Sequence, residues 1–163
     1  MPRKSLAREQ VLTLLAEAPP RITALTAGLA SAQLHTSPKH NEWSANDVLA
    51  HLRSCADVWG DCIEAIIAQD KPTLRAVNPT TWINKTDYRE QKFQRSLRVF
   101  TIQRADLLAV LQPLAPKGWS RMATVTGAGK PLQRTVHTYA QWLARHERTH
   151  LKQIERIVNT MRR

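Results

Sequence analysis

The chain has 163 residues, 42% of them hydrophobic and 23% charged, an ordinary composition for one globular domain, residues 1–163, that buries a core without disulfides. Its longest apolar stretches, such as Val11-Leu12-Thr13-Leu14-Leu15-Ala16, fall far short of the roughly 20 residues a membrane-spanning helix needs, and the basic Met1-Pro2-Arg3-Lys4-Ser5 is followed by neither the apolar core nor the cleavage site of a secretory leader, so a soluble cytoplasmic protein is expected. Lysine and arginine number 24 against 13 acids for a net charge of +11, but residues 85–104 and 135–163 each hold six basic and two acidic residues and no basic run exceeds two, a dispersion that argues for a solvated surface and against nucleic-acid binding.

In chain order, a first helical period covers Leu6 to Ala16 and is expected to end at Pro19-Pro20, which cannot sit inside a regular helix but can open a second, short one through Ile22, Leu25 and Leu29. His35 to Glu42 has no apolar period and reads as a connector. Ser44 is a good N-cap, Asp47 three residues on approximates a capping box, and Trp43 with Val48 fits a hydrophobic staple, so a helix starts at Ala45. Val48, His51, Leu52, Cys55, Val58, Trp59, Cys62 and Ile66 carry its amphipathic face to about Ala68. Cys55 and Cys62, the only cysteines, stand seven apart on that one helix and cannot join as a disulfide, which fits a reducing compartment.

Lys71 to Asp87 reads as a loop in which Trp82-Ile83 can tuck against the bundle. A further helix is expected from about Tyr88 to Leu111, with Phe93, Leu97, Phe100, Leu107 and Leu111 buried and Pro113 ending it. Pro113 to Arg134 is a long loop with four basic residues and no acid, with room for a short hairpin around Thr124 to Pro131. Thr135 can cap the last helix, whose inward stripe is Tyr139, Leu143, His146, His150 and Ile154 or Ile157. Helices separated by loops, with no convincing strands, predict an all-α four-helix bundle with a long loop before the last helix.

His146 and His150 are four apart, about 40° around a helix and about 6 Å along it, so both imidazoles can reach one ion. Both fall on the apolar stripe, with Arg145, Arg148, Lys152 and Arg156 opposite, and inward polar groups need partners. His51, inward on another helix, can supply a third nitrogen and leave one coordination position open. Cys55, one turn later, would close that position and make the metal structural. His146-Glu147-Arg148-Thr149-His150 also fits the zinc-peptidase signature, but only 13 residues follow His150 and none is a histidine, so no downstream ligand can complete it. Glu147 is then expected on the surface or beside the ligands. Asp57, Asp61 and Glu147 are candidate acids or bases with no spacing that selects one, and His35, His40 and His137 are expected in loops or caps.

Two motifs, Trp43-Ser44-Ala45-Asn46-Asp47-Val48-Leu49-Ala50-His51-Leu52 and His146-Glu147-Arg148-Thr149-His150 followed by Gln153-Ile154, resemble in order and content those of the DinB-like (DinB/YfiT-like) superfamily of metal-dependent enzymes, over most of the chain. The resemblance implies a four-helix bundle, a divalent metal, zinc or nickel, bound by His51, His146 and His150, and a homodimer. It implies a small-molecule substrate and either a thiol-dependent S-transferase, using a low-molecular-weight thiol, or a hydrolase. The basic loop from 113 to 134 would suit an anionic substrate or a carboxylate-bearing thiol. The other reading is a non-catalytic bundle, stabilised by metal or serving as a basic interaction module.

Overall fold

The computed structural model describes residues 3–163; Met1 and Pro2 of the basic N-terminal stretch lie outside the described residues. Four long helices form the body: α1 (Arg8–Thr26), α3 (Ala45–Ala68), α5 (Phe93–Leu111) and α7 (Val136–Met161), with short helical turns α2 (Ser31–Leu34), α4 (Pro79–Trp82) and α6 (Pro116–Trp119) between them. α7 packs along both α1 and α3, and α5 closes against the same two helices. No helix among the described residues is long and apolar enough to cross a membrane.

The helix carrying His51 starts where the cap chemistry puts it. The Ser44 hydroxyl accepts from the Asp47 amide at 3.0 Å and the Asp47 carboxylate accepts from the Ser44 amide at 3.0 Å. Thr135 caps α7 in the same way, its hydroxyl accepting from the Thr138 amide at 3.0 Å.

Three expectations are corrected. The prolines do not end the first helix: α1 runs unbroken from Arg8 to Thr26 with Pro19 and Pro20 inside it. Pro19 has no N–H for the Leu15 carbonyl four residues back, and Arg104 of α5 supplies the missing donor, its Nη1 lying 2.9 Å from that oxygen. The buried acceptor is satisfied from another helix, so the break costs less than an isolated helix would suffer. The helix expected from Tyr88 divides into a 3₁₀ turn at Tyr88–Glu90 and α5 proper from Phe93, whose free amide donates to the His35 ring at 3.2 Å. His35 is thus a cap, on a helix distant in sequence.

The third correction is that the fold is mostly helical without being all-α. A three-stranded sheet holds β1 (Thr73–Arg75), β2 (Met122–Thr126) and β3 (Leu132–Thr135) in that order, β1 parallel to β2 and β3 antiparallel to it. The expected hairpin is real, with Gly127 and Gly129 at φ +88° and +87° making the turn that side chains with a Cβ would strain. The parallel partner β1 comes from the segment expected to be loop, and Thr73 pairs with Thr124.

The core forms two apolar clusters. One gathers Ile22, Leu49, Phe93, Phe100 and Ile154, and the other Leu15, Ile63, Leu111, Tyr139 and Leu143. Between Phe100 and Leu107 on α5, and between Leu143 and Leu151 on α7, lie the buried charges Arg104 and Glu147, 2% and 1% exposed.

Candidate metal centre

Two helices bring the expected residues together. α3 presents His51 and, one turn later, Cys55; α7 presents His146 and, one turn later, His150. The Nε2 atoms of His51 and His146 stand 2.7 Å apart, and the Cys55 sulfur lies 3.7 Å from His51 Nε2. The His150 ring centroid is 4.9 Å from that of His51 and 4.4 Å from that of His146. Side chains of His51, Cys55 and His146 offer donor atoms all within 4.8 Å of one another, a set that could hold a metal ion; zinc bonds of about 2.0–2.1 Å to nitrogen and about 2.3 Å to sulfur suit such a cluster.

The electrostatics favour ligation. Burial and the neighbouring His150 hold the His51 imidazole down at about 4, with Arg89 adding to the effect. Burial, His150 and His51 hold His146 down at about 4 as well. Both rings are therefore neutral at pH 7, each with a lone pair to give. His150 Nδ1 is 2.7 Å from the Gln153 amide oxygen; an N–H at Nδ1 donating there leaves the Nε2 lone pair free. The Cys55 thiol is pushed up to about 12 by burial and then by the charge of Glu147, so it is a protonated thiol at neutral pH unless a metal displaces its proton.

Aromatic rings frame the cluster. Trp43, just before the α3 cap, lies 5.2 Å from the His51 ring and stacks on His150 at 6.3 Å. Trp59 of α3 meets His146 edge-on at 5.5 Å and Trp142 of α7 at 5.7 Å. Two clefts open beside His150, one of about 660 Å³ bounded by Trp43 and Gln153 and one of about 440 Å³ bounded by Trp59 and Trp142. Trp43, Trp59 and Gln153 stand in the staple, the α3 face and the second motif read from the sequence, whereas Trp142 carries no such mark.

The candidate acids and bases lie elsewhere. Glu147 is not a surface group: it is paired with Arg104 through both carboxylate oxygens, Oε1 at 2.7 Å from Nη1 and Oε2 closer still to Nη2. The inward stripe of α7 is therefore centred on Leu143, Glu147, Leu151 and Ile154, and the histidines stand half-buried at its edge. Asp57 accepts from the Tyr88 hydroxyl at 2.5 Å and from Gln103 at 2.9 Å, and Asp61 borders a different cleft beside Leu74 and Trp82. Of the basic loop, Arg121 is spent on the backbone oxygens of Ile66 and Gln69, and Arg134 lies over the Trp142 ring at 4.7 Å. Neither lines the clefts beside His150. His137 caps nothing on its own helix and instead holds the Leu6 carbonyl at 2.8 Å.

The model of the DinB superfamily matches residues 14–154. A solved structure of YfiT from Bacillus subtilis, described as a probable metal-dependent hydrolase with an unusual four-helix bundle topology, superposes with a TM-score of 0.80 at 17% identity, covering 99% of this chain and 93% of that one. No curated protein matches.

Proposed function

From the premise that the chain belongs to the DinB superfamily, we propose that it is a metal-dependent enzyme whose His51, His146 and His150 hold one divalent ion, zinc or nickel. The observation that carries this reading is the convergence of three imidazoles from two helices, two of them with nitrogens 2.7 Å apart and the third with its far nitrogen engaged by Gln153. When bound, the ion would supply a water or thiol of lowered pKa, hence a nucleophile near neutral pH. The residues of the chain do the rest. His51 and His146 stay unprotonated through burial, Gln153 fixes the tautomer of His150, and Trp43 and Trp59 pack against the rings.

With three protein ligands, one position remains for a small-molecule substrate or a low-molecular-weight thiol. Hydrolysis and thiol-dependent S-transfer both fit such a site. The description of YfiT as a probable metal-dependent hydrolase supports the first. A homodimer is part of the same reading, supported by Val99 and Ile102, exposed one turn apart on α5 at 38% and 57%.

A second reading rests on the Cys55 sulfur, 3.7 Å from His51 Nε2. With the cysteine as fourth ligand the sphere closes and the metal is structural. Metal analysis of purified wild-type protein and of Cys55→Ala separates the two. The catalytic reading expects stoichiometric metal in both, and loss of it in His51→Ala, His146→Ala and His150→Ala; metal lost from Cys55→Ala supports the structural one, and no stoichiometric metal in the wild type after supplementation with zinc or nickel overturns both.

A further inference from the structure

The N-terminal segment is tied along α7 by a row of side chains four residues apart. His137 holds the Leu6 carbonyl at 2.8 Å, Gln141 accepts from the Leu6 amide at 2.6 Å and from the Ser5 hydroxyl at 3.2 Å, and Arg145 donates through Nη2 to the Lys4 carbonyl. Each step of four residues turns about 40° around a helix and rises about 6 Å, so the row winds slowly along one side of α7. These side chains therefore guide the segment up α7 toward the histidines, and it delivers Arg3 to the rim of the 440 Å³ cleft.

That cleft has a consistent chemistry. Trp59 and Trp142, edge to face at 63°, make an aromatic wall whose other side is the His146 ring. Arg3 and Arg145 stand on the rim, His146, Thr149 and His150 complete the lining, and no Asp or Glu takes part. Among the described residues neither arginine has a carboxylate within 4.0 Å. A guanidinium carries five N–H donors, so the bond of Arg145 to Lys4 leaves donors free. Unpaired guanidinium groups beside an aromatic wall in a cleft without acids select a flat anion, and the fork of arginine matches a carboxylate. The volume lies within the range of small-molecule sites.

We propose that this cleft binds an organic carboxylate with an aromatic body, its ring against Trp59 and Trp142 and its carboxylate on Arg145 and Arg3. That this places the ligand at a reaction centre rests on the metal reading above; the binding itself does not. The recognition residues thus come from α7 and the N-terminal segment, and not from the basic loop of residues 113–134.

The test uses 2-naphthoate as probe and 2-naphthylmethanol as its uncharged counterpart, titrated by calorimetry and by quenching of tryptophan fluorescence against metal-free and zinc-loaded full-length protein. The naphthoate should bind at least roughly tenfold tighter than the alcohol in both forms, a difference of about one charge-assisted contact. Arg145→Ala should weaken it roughly tenfold and Arg3→Ala by a smaller factor, while the exposed Arg98→Ala on α5 should leave it unchanged. Arg3 is exposed, so its substitution leaves the fold intact, and circular dichroism checks Arg145→Ala. Equal affinity for acid and alcohol, or wild-type affinity in both cleft variants, overturns the proposal. Arginine-dependent binding in a protein that takes up neither zinc nor nickel keeps the carboxylate site and removes only the metal reading.

Discussion

His146 and Glu147 are neighbours on one helix and face two kinds of polar interior. Glu147, 1% exposed, has both oxygens on Arg104, and the same guanidinium satisfies the carbonyl that Pro19 strips of its donor. Three helices meet on this group and both carboxylate oxygens are engaged, with only Arg104 Nε left without a partner. The histidine cluster is the opposite. The Nε2 atoms of His51 and His146 meet 2.7 Å apart, burial holds those two rings neutral, and clefts open beside them. Buried polarity that satisfies itself holds a fold together, and buried polarity that converges with lone pairs to spare is built for something brought from outside.

The largest effect should come from breaking the buried pair. Glu147→Ala leaves the Arg104 charge buried and unpaired, which for buried pairs costs about 3–5 kcal/mol. Urea unfolding should show that loss, whereas replacing both charges together, Arg104→Met with Glu147→Leu, should recover much of it, short by the donor that Leu15 then lacks. A single variant as stable as wild type would mean that the pair is not the junction of α1, α5 and α7.

The histidine cluster should respond in the other sense. Its substitution should cost little in metal-free protein and abolish the gain that metal brings, which at free metal about 1,000 times its Kd is about 4 kcal/mol. Thermal unfolding of wild type, His51→Ala and His146→Ala with and without zinc reads both quantities. If the variants keep the zinc-dependent rise in Tm, the ligands lie elsewhere.

A smaller effect is expected one contact further out. Gln153→Leu keeps size and loses the acceptor for His150 Nδ1, and such outer hydrogen bonds are worth about 10–100-fold in metal affinity. Zinc titration by competition with a chelator should show this weakening while the unfolding midpoint of metal-free protein stays put. Unchanged affinity would remove His150, or at least its tautomer, from the site.

What the sequence made legible follows from how far each signal reaches. Ser44 and Asp47 are three residues apart, so the start of α3 could be read at its cap, and Thr135 marked α7 in the same way. Helical period placed His51, His146 and His150 on faces that could meet, because period reports direction without needing the partner. Period could not show that Glu147 is the centre of the α7 stripe, since only Arg104, 43 residues away, makes a carboxylate tolerable there. The helix through Pro19 depends on that arginine too, 89 residues from the carbonyl it serves. β1 is three residues long and finds its parallel partner 51 positions on, as Thr73 on Thr124, a pairing with no local mark. The tryptophans around the site were visible as residues, but their convergence is a property of the packed helices alone.

The smallest and most graded difference between the two polar groups should appear with pH. His51 and His146 titrate at about 4 in the fold against 6.5 for a free imidazole. Above pH 6.5 both states carry these rings neutral and the linkage contributes nothing adverse. As pH falls below 6.5 the unfolded chain takes up protons that the folded one refuses, so metal-free protein should lose stability progressively toward pH 4, below which the folded rings protonate as well and the loss levels off. Replacing both with neutral residues, His51→Gln with His146→Gln, should flatten the stability profile over that window even if it lowers the plateau. Glu147→Gln should leave the slope between pH 6.5 and 4 in place while lowering the whole curve. A wild-type profile already flat across that window would mean that the two imidazoles are not held neutral by the fold, and the contrast between a buried ion pair and a cluster of neutral rings would lose its electrostatic half.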